Sequence, residues 1–170
     1  MSETIRFVEK YTDSNQFKQL FEEGMNLVEE TANYLDGDGR KESRALSRIA
    51  SLNYATESMR LTTRLMQIAS WLLLQRAVNE GELTFDEAQG EKHKVRLRQH
   101  SQANVESEDF AEMPDTLQQL VLRSFSLNDR VRNVERMLRS ETGAGVETQV
   151  NRVQGDINRI EDAFKASLSN

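Results

Sequence analysis

The chain predicts an all-α protein, an antiparallel helical bundle with one long central helix and additional C-terminal helices. Three observations carry this. Only 8 glycines and 1 proline punctuate 170 residues, too few for a turn-rich β fold. Apolar residues recur at steps of three and four, the period of a helix face rather than a strand. And from Lys41 to Asn79 the chain runs without a glycine or proline.

Taken in order, Ile5, Phe7 and Val8 suit a loosely docked N-terminus. Ser14 reads as an N-cap. Behind it Phe17, Leu20, Phe21, Gly24, Leu27, Val28, Thr31, Tyr34 and Leu35 predict one helix over roughly 13–35 with a single buried face. Gly24 falls on that face, where a missing side chain lets a neighbour approach closely. Asp36-Gly37-Asp38-Gly39 ends the helix, with Gly37 suited to a left-handed residue. This turn is not a calcium loop, because Arg40, Lys41 and Ser47 stand where an oxygen ligand, a glycine and a glutamate are needed.

Lys41 to Asn79 reads as one helix ended by Gly81, about 55 Å long against about 35 Å for the first. A short connection makes the two antiparallel. The shorter helix should run out near Leu65, leaving LMQIASWLLLQRAV to be covered by a later helix, a second subunit or both. Leu83-Thr84-Phe85-Asp86-Glu87 is a helix start, Thr84 and Glu87 forming a capping box. The helix behind it should reach about Gln99. The acidic stretch Ser101 to Met113 reads as a mobile loop, and Pro114 opens the next element. There Leu117, Leu120, Ser124, Leu127, Val131, Val134 and Leu138 alternate by three and four as a coiled-coil-type seam. Val146 to Phe164 repeats the spacing around Gly155 with smaller residues, a helix in need of a partner surface. The domain division is therefore 1–140, a helical bundle, and 141–170, a helical or flexible tail.

Composition excludes several functions. With no cysteine there is no disulfide, thiolate metal site or cysteine nucleophile, and such a chain fits the cytoplasm. The start lacks a basic region followed by an apolar one, and Ser2 stands where myristoylation needs glycine. Leu65 to Leu74, the greasiest window, is bounded by Arg64 and Arg76, far short of the ~20 apolar residues of a membrane span. A net charge of −6 argues against general nucleic-acid binding. The basic cluster Lys92, Lys94, Arg96, Arg98 is the one candidate for it, but the acidic run Glu106 to Glu112 follows closely and no aromatics interleave. A solvated face or contact with an acidic protein partner accounts for it better. His93 and His100 lie seven apart without carboxylates between them to complete a metal site. No phosphate-cradling loop or Ser/His/Asp set is present, so neither catalysis nor a cofactor is expected.

Trp71, Leu72, Leu73 and Leu74 cover most of a helix circumference. More than one neighbour must surround them, and a homodimer is favoured over a purely intramolecular core. Leu65, Met66, Trp71, Leu72 and Leu74 are the candidates for this dimer or core seam. The candidates for partner contact are Lys92, Lys94, Arg96 and Arg98, together with Val146 and Val150 of the tail.

At NYATESMRLTTRLMQIASWLLLQRAVNEGE, preceded by FEEGMNLVEETANYLDGDGR and followed by EKHKVRLR, the chain resembles the alphaproteobacterial regulator of CtrA degradation (RcdA) family, an uncharacterised-domain family. The match spans roughly Phe17 to Arg98, and beyond Ser101 it rests on the helix from Asp115. The resemblance implies a compact helical bundle forming a homodimer, acting as a non-enzymatic adaptor for the ClpXP protease in cell-cycle-regulated proteolysis. It implies docking to ClpX through a response-regulator adaptor, cargo including the transcription factor CtrA, and a cyclic-di-GMP-binding effector protein. In that family the C-terminal segment tends to be flexible and important for partner contact. Here Val146 to Phe164 carries a regular apolar seam, so both a recruiting arm and a packed helix stay open. The alternatives are a small helical DNA-associated regulator and a structural dimerisation module.

Overall fold

In the computed structural model, residues 15–94 and 108–140 are described. They form α1 (Asn15–Asp36), α2 (Asp38–Arg44), α3 (Arg48–Asn79), α4 (Phe85–Lys94) and α5 (Glu108–Ala111), then α6 over 115–140. No strand occurs among the described residues. The chain divides into two compact units, Tyr11–Arg132 and a second made of Met1–Lys10 with Asn133–Asn170. In the described part of the second unit Leu138 is buried, and Arg139 Nε donates to Glu135 Oε1 at 2.8 Å.

The first unit is built on α1, α3 and α6. On α1 the buried positions are Phe17, Leu20, Gly24, Leu27, Thr31 and Tyr34, the face its spacing predicts. Gly24 marks the closest approach. A Cβ there would collide with the Leu72 side chain of α3 and lie 3.7 Å from Leu127 Cδ2 of α6. The missing side chain leaves room for the end of Leu72, while Leu127 is at ordinary van der Waals distance. Along α6, Leu117, Leu120, Ser124, Leu127 and Val131 are buried as the seam requires. Arg123 and Arg130 reach Glu30 at 2.8 Å and Glu23 at 2.6 Å, so α6 runs antiparallel to α1. Such exposed pairs contribute little stability, but they mark the register.

The connection between α1 and α3 departs from expectation. Gly37 has φ −108°, outside the left-handed region, and its N–H bonds back to the Asn33 and Tyr34 carbonyls. Residues 38–44 form the separate α2, and the long helix begins only at Arg48 because Ser47 caps it, its Oγ accepting from Ala50 N at 3.2 Å. No glycine or proline announces this break. The junction is held by Tyr34, whose hydroxyl donates to Glu42 Oε2 at 2.7 Å, and by Tyr54, whose hydroxyl neighbours those of Tyr34 and Ser58.

Because pairing starts at Arg48, α1 covers more of α3 than an unbroken helix would allow. Tyr34 meets Tyr54 near one end, and Arg76 lies 5.2 Å over the Phe21 ring near the other. The overhang expected beyond Leu65 is absent: Leu65, Ile68, Trp71 and Leu72 are all buried. Downstream, Gly81 at φ 75° ends α3 as expected. Thr84 N donates to Glu87 Oε2 at 2.9 Å and Glu87 N to Thr84 Oγ1 at 3.3 Å, a complete capping box for α4. The end of the expected mobile loop is instead docked. Phe110 and Met113 are buried, and Gln118 Nε2 donates to the Met113 carbonyl at 2.7 Å. Ser14, the tail 141–170 and the stretch 95–107 lie outside the described residues.

Gly39 is buried at this junction, where a Cβ would sit 2.5 Å from the Tyr54 hydroxyl and 2.8 Å from the Tyr34 carbonyl oxygen. The carbonyl belongs to a helix and cannot step aside. Gly39→Ala should therefore lower the unfolding free energy by about 1–3 kcal/mol, read from urea denaturation followed by circular dichroism.

A candidate protein-docking face on the long helix

α3 has two apolar sides. Leu61, Leu65, Ile68, Trp71 and Leu72 point into the bundle. On the opposite side Ile49, Leu52, Met59, Met66 and Leu73 are 71%, 69%, 72%, 66% and 53% exposed. Leu52, Met59, Met66 and Leu73 are spaced by seven, and Thr56, Thr63 and Ser70 fill the alternate positions of the same seam. The pattern is a heptad stripe about 36 Å long. It drifts about 20° per repeat around a straight helix, as the face of a left-handed supercoil does.

The hydroxyls of this stripe are already committed. Thr56 Oγ1 donates to the Leu52 carbonyl at 3.0 Å, Thr63 Oγ1 to that of Met59 at 3.0 Å, and Ser70 Oγ to that of Met66 at 2.8 Å. Each bond is made one turn back within the same helix. The hydroxyl protons can be covered by a partner without losing a donor bond to water, and the small size of these residues lets a facing backbone come close. A row of exposed large apolar side chains on a rigid helix is the mark of a surface that meets another protein.

Behind the stripe, polar groups tie α3 to its neighbours. Arg64 is 1% exposed. Its Nη1 donates to Ser124 Oγ at 2.6 Å, and its guanidinium lies 3.9 Å over the Phe125 ring. Burial pulls its pKa down to about 10, against a smaller upward effect of Glu57. Glu57, also buried, pairs instead with Arg60 at 2.6 Å. Lys92 of α4 is buried, its Nζ 4.6 Å over the Trp71 ring and 2.8 Å from Gln75 Oε1. Burial pushes the Tyr34 hydroxyl well above its ordinary pKa, reinforced by the Glu42 carboxylate that it bonds.

The residues proposed from sequence are distributed as follows. Leu65, Trp71 and Leu72 lie in the protomer's own core, Met66 lies on the exposed stripe, and Leu74 is half-buried. The apolar surplus of WLLL is thus mostly absorbed by α1, α4 and α6, and Leu73 is what remains outside. Lys92 does not belong to a solvated basic face, because its stem and ammonium cover Trp71. Lys94 is exposed and bonded to Glu91 at 2.7 Å. Arg96, Arg98, Val146 and Val150 lie outside the described residues. Leu52 and Met59 escape a reading that follows local hydrophobic density, but their seven-residue register with Met66 and Leu73 is the signal that finds them; Ile49 falls in the alternate register of Thr56, Thr63 and Ser70.

Among the described residues no group of three or more His, Cys, Asp or Glu could hold a metal ion, and no helix is long and apolar enough to cross a membrane. A cavity of about 420 Å³ lies between the first turns of α1 and the last of α3, lined by Phe17, Phe21, Arg76 and Asn79 among others. Its arginine is already bonded to Glu80 at 2.8 Å.

Fold and surface together define a helical protein whose most distinctive surface feature is an exposed apolar stripe along its longest helix. A family model described as a protein of unknown function, DUF1465, matches residues 8–164. The crystal structure of RcdA from Caulobacter crescentus CB15 is 50% identical, with a TM-score of 0.62, over 76% of this chain and 96% of that one. The chain belongs to this RcdA-like DUF1465 family. No curated protein matches it.

Two outcomes test the polar framework. Arg64 has no carboxylate within bonding distance, so Arg64→Met should leave the unfolding free energy within about 1 kcal/mol of the parent or raise it. Arg64→Ala, which opens a cavity, should cost about 2–4 kcal/mol; chemical denaturation distinguishes the two. The second concerns the α4 capping box, where the hydrogen bonds from Thr84 hold the Glu87 carboxyl below its ordinary 4.5. A depressed folded-state pKa means the cap is intact above 4.5 and is lost as pH falls through the lower folded value. The Thr84 amide resonance should therefore titrate with a midpoint below 4.5 in an NMR titration, and Glu87→Gln should abolish that step.

Proposed function

We propose that the protein is a non-enzymatic adaptor in ClpXP-mediated, cell-cycle-regulated proteolysis, tethering cargo such as the transcription factor CtrA to the protease. Its membership of the family that includes Caulobacter RcdA supports this reading. The observation that carries it is the heptad stripe of α3, an apolar face held open on an otherwise closed bundle. An adaptor works by raising the effective concentration of cargo at the unfoldase, which requires binding surfaces and no chemistry of its own.

In this reading the partners are a response-regulator adaptor docked on ClpX, the cargo, and a cyclic-di-GMP-binding effector protein, all met in the cytoplasm. A second copy of the chain packs stripe against stripe as a homodimer. The seven-residue repeat favours a coiled-coil-like contact, with Thr56, Thr63 and Ser70 letting the two helices approach. Lys94 and the basic residues after it remain candidates for an acidic partner. The DNA-associated alternative is weakened, since Lys92 is spent on Trp71 and Lys94 on Glu91.

Met59→Glu with Leu73→Glu should leave helicity and thermal midpoint nearly unchanged, because both side chains already face solvent. The same pair should weaken self-association at least about 100-fold in sedimentation velocity, by placing like charges across the seam. Delivery is tested by reconstituting ClpXP, the response regulator and CtrA. The parent protein should accelerate cargo loss. Association without any effect on degradation would leave the structural dimerisation module as the better reading.

A further inference from the structure

The chain holds no cysteine, so methionine is its only sulfur, and two of its 6 methionines stand at the centre of the docking stripe. Met59 and Met66 are 72% and 66% exposed, against 46% for Met137 of α6, whereas Met113 is buried and Met25 half-buried. They are one heptad apart on the same side of α3, flanked by Leu52 and Leu73. The stripe therefore joins its two ends through its two most oxidisable side chains.

We propose that this face is redox-sensitive: a peroxide-class oxidant converts Met59 and Met66 to sulfoxides and thereby weakens self-association of the protein. The inference rests on the reading of the stripe as the contact between two copies. In the reaction the thioether sulfur gives two electrons to the peroxide, the O–O bond breaks, one oxygen bonds to sulfur and the other leaves as water. The change is reversible by methionine sulfoxide reductases.

The geometry says why a sulfoxide is poorly tolerated in this seam. Its oxygen is a strong acceptor and needs a donor once water is excluded. The nearby hydroxyls of Thr56, Thr63 and Ser70 already donate to the carbonyls of Leu52, Met59 and Met66. Arg60, next to Met59 in the chain, has its Nη1 held by Glu57 Oε1 at 2.6 Å. Closing the interface over a sulfoxide then strands its oxygen, at a cost on the order of tenfold in affinity for each one. The same arrangement protects the associated form, since packed stripes cover both sulfurs. The oxidant acts on the free protomer and holds it free.

The full-length protein is treated with hydrogen peroxide, its sulfoxides are located by peptide mass spectrometry, and association is measured by sedimentation velocity over a dilution series. The expected result is oxygen addition at Met59 and Met66, faster in dilute than in concentrated protein. Association should fall at least tenfold and return after reductase treatment. A Met59→Leu/Met66→Leu variant, which keeps the apolar volume, should associate before and after peroxide alike. Unchanged association of a protein carrying both sulfoxides would overturn the proposal. So would an equal loss in the leucine variant, which would place the sensitive group elsewhere. Untreated protein that stays monomeric throughout would instead overturn the self-association reading, and the proposal with it.

Discussion

α3 is apolar on two opposite sides, and the rest of the main unit is arranged around one of them. A helix with a single buried stripe needs one partner layer, but Leu61, Leu65, Ile68, Trp71 and Leu72 together require neighbours over a wide arc. α1, α4 and α6 provide it. The other side keeps large side chains in solvent where polar ones would cost nothing. A regular seven-residue register on that side is difficult to account for by folding alone, since none of these residues contributes to the protomer's core.

The close approach of the three main helices depends on small and polar details. Gly24 leaves room for the end of the Leu72 side chain between α1 and α3. Arg64 reaches Ser124 and the Phe125 ring of α6, and Lys92 reaches Gln75 and Trp71 of α3. Buried cations stabilise little once desolvation is counted. Their value lies in specificity, because Ser124 and Phe125 for Arg64, and Gln75 and Trp71 for Lys92, come within reach in one register, so a slipped helix would strand a charge. The exposed pairs Arg123–Glu30 and Arg130–Glu23 repeat the same register along the surface.

A docking face must satisfy two conflicting demands. It must stay solvated in the free protomer and lose nothing when covered. On the face proposed for α3 the conflict is eased by hydroxyls whose protons are turned back onto their own helix, so that covering them leaves no donor unpaired. Methionine suits such a face, since its flexible, polarisable chain adapts to more than one partner shape. That property fits an adaptor that meets several proteins, and it also exposes the surface to oxidants.

Much of this architecture was legible in the sequence. The buried face of α1, the capping box at Thr84, the stop at Gly81 and the seam of α6 all follow from local periodicity and local hydrogen-bonding chemistry. The family was legible as well, from the wording of Asn53 to Glu82. The break before Arg48 was not, because it is made by Ser47 capping a new helix, and a serine among helix formers carries no such instruction until the junction of Gly39, Tyr34 and Tyr54 is assembled around it. That break sets where α1 and α3 begin to pair, and the pairing decides which apolar residues are consumed. So Trp71 and Leu72, which the sequence offers to either a dimer or a core seam, and Lys92, which it offers to a partner face, are interior to the protomer. Sequence by itself determined that α3 carries more apolar surface than one face can bury, since that is a matter of composition and period. Only the tertiary structure decided which side is left over, because burial depends on the neighbours that arrive from elsewhere in the chain.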